Sequence, residues 1–202
     1  LKYLKLCIDS IKKNSSLKHE VVVHSNVGSD GTKEYLKKNN IKHTVSKENI
    51  GLCSGINKAA KLSTTDYILY SHDDMYFCPG WDKYLVDEIK TIGHEKFYLS
   101  GTMIQPLGGS HITLNSGIDI DSFNENKLLN NYKNYNYFDH QGSHFAPHLV
   151  TKNIWNLVGG FSEEFNPAIG SDPDFNMKLW TKGVRIFKGI NNFKVYHFGS
   201  IV

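Results

Sequence analysis

Apolar positions recur at helical spacing at the start of the chain, where Leu1, Leu4, Ile8 and Ile11 stand among lysines in LKYLKLCIDSIKK. That spacing predicts an amphipathic helix. The pattern then switches. EVVVHS (20–25) is a short apolar run that predicts a strand, GSDGTKEYLKKNN a turn opening a helix, and IKHTVS a second strand. NIGLCSGINKAAKLS predicts a loop and a helix leading into the strand DYILYS (66–71). Beyond it, Pro79 to Ile92 reads as helix and KFYLSGTMI as strand again. Such alternation predicts an α/β fold with an open, mostly parallel central sheet flanked by helices.

From Pro106 to His148 the period is lost. GGSHITLNSGIDI is compatible with a hairpin, and NENKLLNNYKNYNYFDHQGSHFAPH, rich in Asn, Tyr and His, reads as long loops on the binding face. Regularity returns with TKNIWNLVGGF, a Thr-capped helix ending at Gly159 and Gly160. The helix SDPDFNMKLWTKG and two strands, VRIFKG and FKVYHF, follow. No internal repeat or linker is visible in the 202 residues, so a single domain over 1–202 is expected.

Composition narrows the function classes. With 40% hydrophobic and 21% charged residues the chain has the make-up of a soluble globular protein, and no apolar run approaches membrane-spanning length. A net charge of +3, scattered along the chain, gives no case for a nucleic-acid partner. Cys7, Cys53 and Cys78 form no CxxC pair, which fits reduced thiols in a cytosolic protein better than a disulfide framework.

In open α/β sheets ligands bind beyond the carboxyl ends of the strands. Three polar clusters stand at such ends: HSNVGSDGT, SKENIG and SHDDM. Asp73 and Asp74 are hard oxygen donors of the type that holds Mg²⁺ or Mn²⁺ through a substrate phosphate, or else a solvated turn that caps the next helix. In SDPDF, Asp172 reads either as an N-cap before Pro173 or as a general base, with the helix dipole favouring its charge and Asp174 opposing it. His197, in VYHFGS, is structural or a ligand. His140, His144 and His148 fall four apart and invite a zinc reading, which Gly142 and Pro147 oppose by breaking the helix that would align them.

Taken in order, these stretches resemble the family 2 glycosyltransferases of the GT-A fold. VVVHSNVGSDGTKEYL is similar to that family's nucleotide-binding strand and turn, V-D-D-G-S-T-D-G-T. NIGLCSGINKAAKLSTTDYILYSHDDMYFCPGWD resembles its N-x-G-x(5)-N-x-G-x(2)-A…DYI-x-x-x-D-x-D…P-x-W. VGGFSEEF, GSDPDFNMKLWTKGVRIF and VYHFGS are similar to its G-G-F-D-E segment, acidic pair and late histidine. The resemblance leaves 105–148 uncovered, and it implies a nucleotide-binding half (1–105) and an acceptor-side half (106–202).

The resemblance implies transfer of a sugar from a nucleoside diphosphate sugar to a saccharide or other hydroxyl acceptor, with inversion and with Mn²⁺ or Mg²⁺. It assigns the base to Asp172, the metal to Asp74 with His197, and nucleotide contacts to Asn26, Asp30, Asn49, Gly51, Asn57 and Asp73. It departs at His72, which falls where the family's first carboxylate stands, at Ser25 and Asn26 in place of two acids, and at Ser171 in place of Glu. The family's first strand is missing ahead of Leu1, so a fragment of a longer product is expected, cytoplasmic or peripheral at the inner face of a membrane. The rivals are a nucleotidyltransferase and a catalytically degenerate sugar-binding or interaction module.

Overall fold

Leu4, Cys7 and Ile8 bury one face of α1 (Lys2–Asn14), and Lys12 and Lys13 occupy its last turn, where cations favour the negative end of the helix dipole. The computed structural model describes residues 1–109, 111–141 and 145–199. After α1 come β1 (Val22–Asn26), α2 (Thr32–Lys38), β2 (Lys42–Ser46), α3 (Leu52–Ala60), β3 (Tyr67–Tyr70), β4 (Met75–Phe77), α4 (Trp81–Ile92) and β5 (Phe97–Gln105). They are followed by β6 (Ile112–Thr113), α5 (Glu125–Asn131), β7 (His140–Gln141), β8 (His148–Thr151), α6 (Lys152–Val158), α7 (Ser171–Thr181) and β9 (Ile186–His197). As expected, the Thr151 hydroxyl caps α6 by accepting from Ile154 N–H, and Gly159, at φ +76°, ends it.

β1 and β2 pair in parallel as a two-stranded sheet. The larger sheet runs β3-β8-β5-β9-β4, with β6 beside the end of β5 and β7 beside β9. It is mixed, not mostly parallel. β5 runs parallel to β9 and β6, whereas β8 opposes both β3 and β5, and β4 and β7 oppose β9. β3 and β4 are not partners: Ser71 to Asp74 carry the chain from β3, at one end of the strand order, to β4, at the other end, where it pairs with β9.

The two strands expected near the end of the chain are one. Ile186–Ile190 pair with Phe97–Gly101 and Lys194–Tyr196 with Thr102–Ile104, while Asn191, Asn192 and Phe193 bulge between them. Phe193 is fully buried, its ring 5.4 Å from that of Trp81. Strands from both sides of residue 105 therefore interleave in the larger sheet and share its core, with Phe77, Phe97 and Leu99 packed among Val150, Phe161, Phe175 and Val195. Each such side chain contributes about 1.5–3 kcal/mol by leaving water.

The segment expected as long loops is largely built into the fold. Asn124 caps α5 by accepting from Lys127 N–H (2.8 Å). Leu128 and Tyr132 bury with Leu114, Tyr76, Tyr196 and Phe198 in a second cluster. Instead of forming a hairpin, Ile112 and Thr113 pair in parallel with Ile104 and Gln105. The helical period is hard to read because only one turn of α5 faces the core.

Asp82, in the first turn of α4, ties α1 to the next segment. Its carboxylate accepts from the backbone N–H of Ser16 (2.9 and 2.8 Å) and Leu17 (2.7 Å) and lies 2.9 Å from His19 Nε2. Burial opposes its ionisation, yet these donors outweigh burial and hold its pKa below the usual value. A depressed carboxyl stabilises the fold above its unfolded pKa of about 4, and that contribution is lost as pH falls through the folded value. Asp82→Ala should cost about 2–3 kcal/mol at pH 7, read by denaturant unfolding, with the difference shrinking toward pH 3. No described helix is long and apolar enough to cross a membrane.

Candidate active site

Between Tyr70 and Met75 the chain leaves one strand and enters another in four residues. Among the bonds that fix this turn, the Ser71 hydroxyl donates to the His72 carbonyl (3.0 Å), and Phe198 N–H donates to the Asp74 carbonyl (3.2 Å). Within the turn His72 and Asp74 come together, while Asp73 is exposed outside the group. Pairing of β4 with the end of β9 sets Met75 opposite His197. His197 Nε2 thereby lies 3.3 Å from Asp74 Oδ2, and His72 Nδ1 4.0 Å from Asp74 Oδ1.

The three side chains offer ligand atoms within 4.8 Å of one another, the one such group among the described residues. Two imidazoles and a carboxylate are a donor set that fits a divalent metal ion. Burial lowers the pKa of His72 despite Asp74 beside it, which favours the neutral imidazole that a metal requires. Gln105 supports His197 from behind, its side-chain nitrogen 2.9 Å from Nδ1. His72 takes the place that the resemblance gives to a carboxylate, and Asp73 does not join the ligands.

Asp172 does not cap its helix. Gly170, at φ +88°, is the N-cap, Ser171 is the first helical residue, and no side chain caps the end. The capping alternative fails because the left-handed turn at Gly170 starts the helix one residue before Asp172. A Cβ at position 170 would also meet the Phe165 ring at 2.9 Å. The carboxylate of Asp172 is therefore left for other work. Its Oδ1 is buried without a hydrogen-bond partner, 3.8 Å from His148 Nε2. Burial, rather than Asp174, raises its pKa to about 6.

His148, at the start of β8, is 1% exposed. The rings of Tyr98, Tyr70, Phe175 and Phe161 surround it at 4.7, 5.1, 5.5 and 5.9 Å. Neither ring nitrogen has a hydrogen-bond partner, and burial pushes the pKa down to about 3. The ring is neutral, so its contact with Asp172 is not an ion pair. Tyr70 continues the path, its ring 5.1 Å from His148 and 5.4 Å from His72. Burial and then the charges of Asp172 and Asp74 both hold the Tyr70 hydroxyl well above its usual pKa. Asp172, His148, Tyr70, His72, Asp74 and His197 thus form one continuous group.

The residues expected on the nucleotide side organise the loops around α3. Asn26 Oδ1 accepts from Ile50 N–H (3.0 Å) and the Ser46 hydroxyl (3.1 Å). Asp30 accepts from Thr32 N–H (3.1 Å) and meets the Leu1 amine (2.8 Å). Asn49 accepts from Gly51 N–H (2.9 Å), and Gly51, at φ +81°, leaves room for Asn166, whose Oδ1 would lie 2.3 Å from a Cβ there. Asn57 clamps Phe161, donating to its carbonyl (2.8 Å) and accepting from its N–H (2.9 Å).

The zinc alternative finds no set among the described residues. His140 lies 4.7 Å from His111, His148 faces Asp172, and His144 is outside the described residues. Sequence reasoning did not place His72 beside Asp74 and His197, nor Tyr70, Gln105 and His148 around them. The i, i+2 spacing of His72 and Asp74 is the signal that could have found the first of these; the others are set by strand pairing.

Comparison with known proteins agrees with this fold. The sequence profile described as Glycosyl transferase family 2 matches residues 1–148. No curated protein sequence matches the chain. Among solved structures, GalNAc-T7 with UDP, GalNAc and Mn²⁺ superposes with a TM-score of 0.69 at 14% identity, over 95% of this chain and 40% of that one. TarS 1–349 of S. aureus gives 0.69 at 16% identity, over 97% and 56%, and its complex with UDP gives 0.67 at 16%, over 96% and 56%. The chain thus spans about half the length, or less, of these structures.

Proposed function

The chain belongs to glycosyl transferase family 2, and from that premise we propose that it moves a sugar from a nucleoside diphosphate sugar to an acceptor hydroxyl, with inversion. The observation that carries this reading is the unbroken path of contacts from Asp172 to the His72, Asp74 and His197 cluster. A base and a cation site on one sheet end are what a single displacement needs.

In this reading Asp172 takes the proton of the acceptor hydroxyl. The acceptor oxygen forms its bond to the anomeric carbon as the bond to the diphosphate oxygen breaks on the opposite face. A pKa of about 6 leaves Asp172 ionised at neutral pH and still basic enough to accept that proton. His148 and the rings around it keep water from one side of the carboxylate. His72, Asp74 and His197 would hold a Mn²⁺ or Mg²⁺ ion, which would neutralise charge on the departing diphosphate. Asn26, Asp30, Asn49, Gly51 and Asn57 shape the nucleotide side by fixing the loops around α3, with Asp73 exposed at its margin. The 1–105 portion carries the donor and the 106–202 portion the base and acceptor. The neighbours' titles, which print UDP and, in one case, GalNAc and Mn²⁺, favour a nucleotide-sugar donor here too.

Melting the protein against UDP, GDP and dTDP sugars, with and without Mn²⁺, tests the reading, because a ligand of the folded state raises the transition. One nucleotide family should raise it in a metal-dependent way and release nucleoside diphosphate slowly to water. A panel that neither shifts the melt nor releases nucleotide overturns the proposal.

A further inference from the structure

We propose that His148 is the positioning residue of the base: its Nε2–H donates to Asp172 Oδ1 and fixes the carboxylate, leaving Oδ2 to take the acceptor's proton. The inference rests on the proposed function, in which Asp172 is the base, and adds the group that aims it.

His148 is held firmly enough for such work. It stands on β8 between two strands and pairs with Tyr70 of β3 and with Ser100 of β5. Its ring is nearly parallel to those of Tyr98 and Phe175, at 32° and 23°, with centroids 4.7 and 5.5 Å away. A donor set on a central strand and locked by packing is placed more precisely than one on a loop.

Packing alone does not explain an imidazole here. Burying a ring whose two nitrogens have no hydrogen-bond partner costs stability, and a phenyl ring would fill the same aromatic shell without that cost. The unspent polarity points to Asp172, whose Oδ1 is also buried without a partner and lies 3.8 Å from Nε2. A neutral imidazole carries one N–H, and an ionised carboxylate can only accept, so the tautomer protonated at Nε2 completes the pair. The present separation is longer than a hydrogen bond, and contacts of this kind tighten when substrate binds. Asp172 is the partner able to move, since its side chain is 21% exposed and that of His148 is 1% exposed. The other titratable groups that feel the Asp172 charge are Tyr70, Tyr98 and Cys53, which burial keeps neutral, so none brings a competing charge.

Release of nucleoside diphosphate from UDP, GDP and dTDP sugars with Mn²⁺, water serving as acceptor, tests this. His148→Met removes the donor at similar length, whereas His148→Gln sets an amide N–H where Nε2 stood. The Met variant should lose about 10- to 100-fold in kcat with KM within about twofold, and the Gln variant should stay within about fivefold of the parent. His148→Phe, which keeps a ring in the aromatic shell, repeats the donor-free measurement if the Met variant does not fold. In an Asp172→Asn background, His148→Met should lower the rate by no more than about a further twofold, because a group that acts through the base has nothing left to aim. Parent turnover in the donor-free variant, a Gln variant as impaired as the Met one, or losses that multiply in the double variant overturn the positioning role and leave Asp172 as the base. Unchanged turnover in Asp172→Asn overturns the base, and no release by the parent from any of these sugars overturns the proposed function; the inference falls with either.

Discussion

Replacing Asp172 with Asn is expected to lower transfer by about 10²- to 10⁴-fold while nucleotide affinity stays within a factor of about two, since a positioned base contributes that much and its loss leaves the donor site intact. The amide keeps the shape of the carboxylate but cannot accept the acceptor's proton. Initial rates and a nucleotide titration on the same preparation check it, and unchanged turnover would exclude Asp172 as the base. The pH profile supplies a second readout. With a pKa of about 6, Asp172 is ionised above neutrality and protonated below pH 6, so the parent's kcat/KM should fall about tenfold per unit on the acid side.

Stability should move the other way. Burial raises the Asp172 pKa from 3.8 to about 6, so the folded state holds that proton more tightly than the unfolded chain does. Between those values stability falls as pH rises, and at neutral pH the ionised carboxylate destabilises the fold by up to about 3 kcal/mol. Asp172→Asn should therefore melt above the parent at pH 7.5, with the gap closing near pH 4. A merely structural Asp172 would show the opposite, a variant both active and less stable.

Much of this was legible in the sequence, and what was not has a physical reason. The strand–helix alternation through Gln105 and the Thr151 to Gly159 helix are written in local periodicity, cap and stop residues, so they read correctly. The sheet's mixed direction is not local: it follows from β8 lying between β3 and β5 and from β4 pairing with β9, far along the sheet from β3. The same holds within the site. Asp74, His197 and Asp172 stand in ordered motifs that point to them, whereas His148 becomes a neighbour of Asp172 only because β8 lies against β3 and brings it to Tyr70. Asp172 looked like a helix cap because a Pro follows it, whereas the cap is set by Gly170, whose positive φ only the residue type of position 170 hints at.

Asp74→Ala is expected to weaken metal-dependent nucleoside diphosphate binding by about 100-fold or more, and Asp73→Ala by no more than about twofold. The contrast follows from the turn. Asp74 stands between His72 and His197, 4.0 and 3.3 Å from their nitrogens, and its loss removes the cluster's only charged donor. Two neutral imidazoles that remain would hold a dication weakly, and the diphosphate would then meet no compensating charge. Asp73 is exposed and outside the cluster, so its removal takes away no ligand atom and changes only the through-space field that its charge exerts on its neighbour Asp74. The backbone of the turn should survive both changes, because the bond to Asp74 is made through its carbonyl, which accepts from Phe198 N–H. Parallel titrations with and without Mn²⁺ separate the cases. If the two variants lose binding equally, the adjacent carboxylates act as a pair and the assignment of the site to alternate residues is wrong; if neither loses it, the diphosphate is held without this cluster.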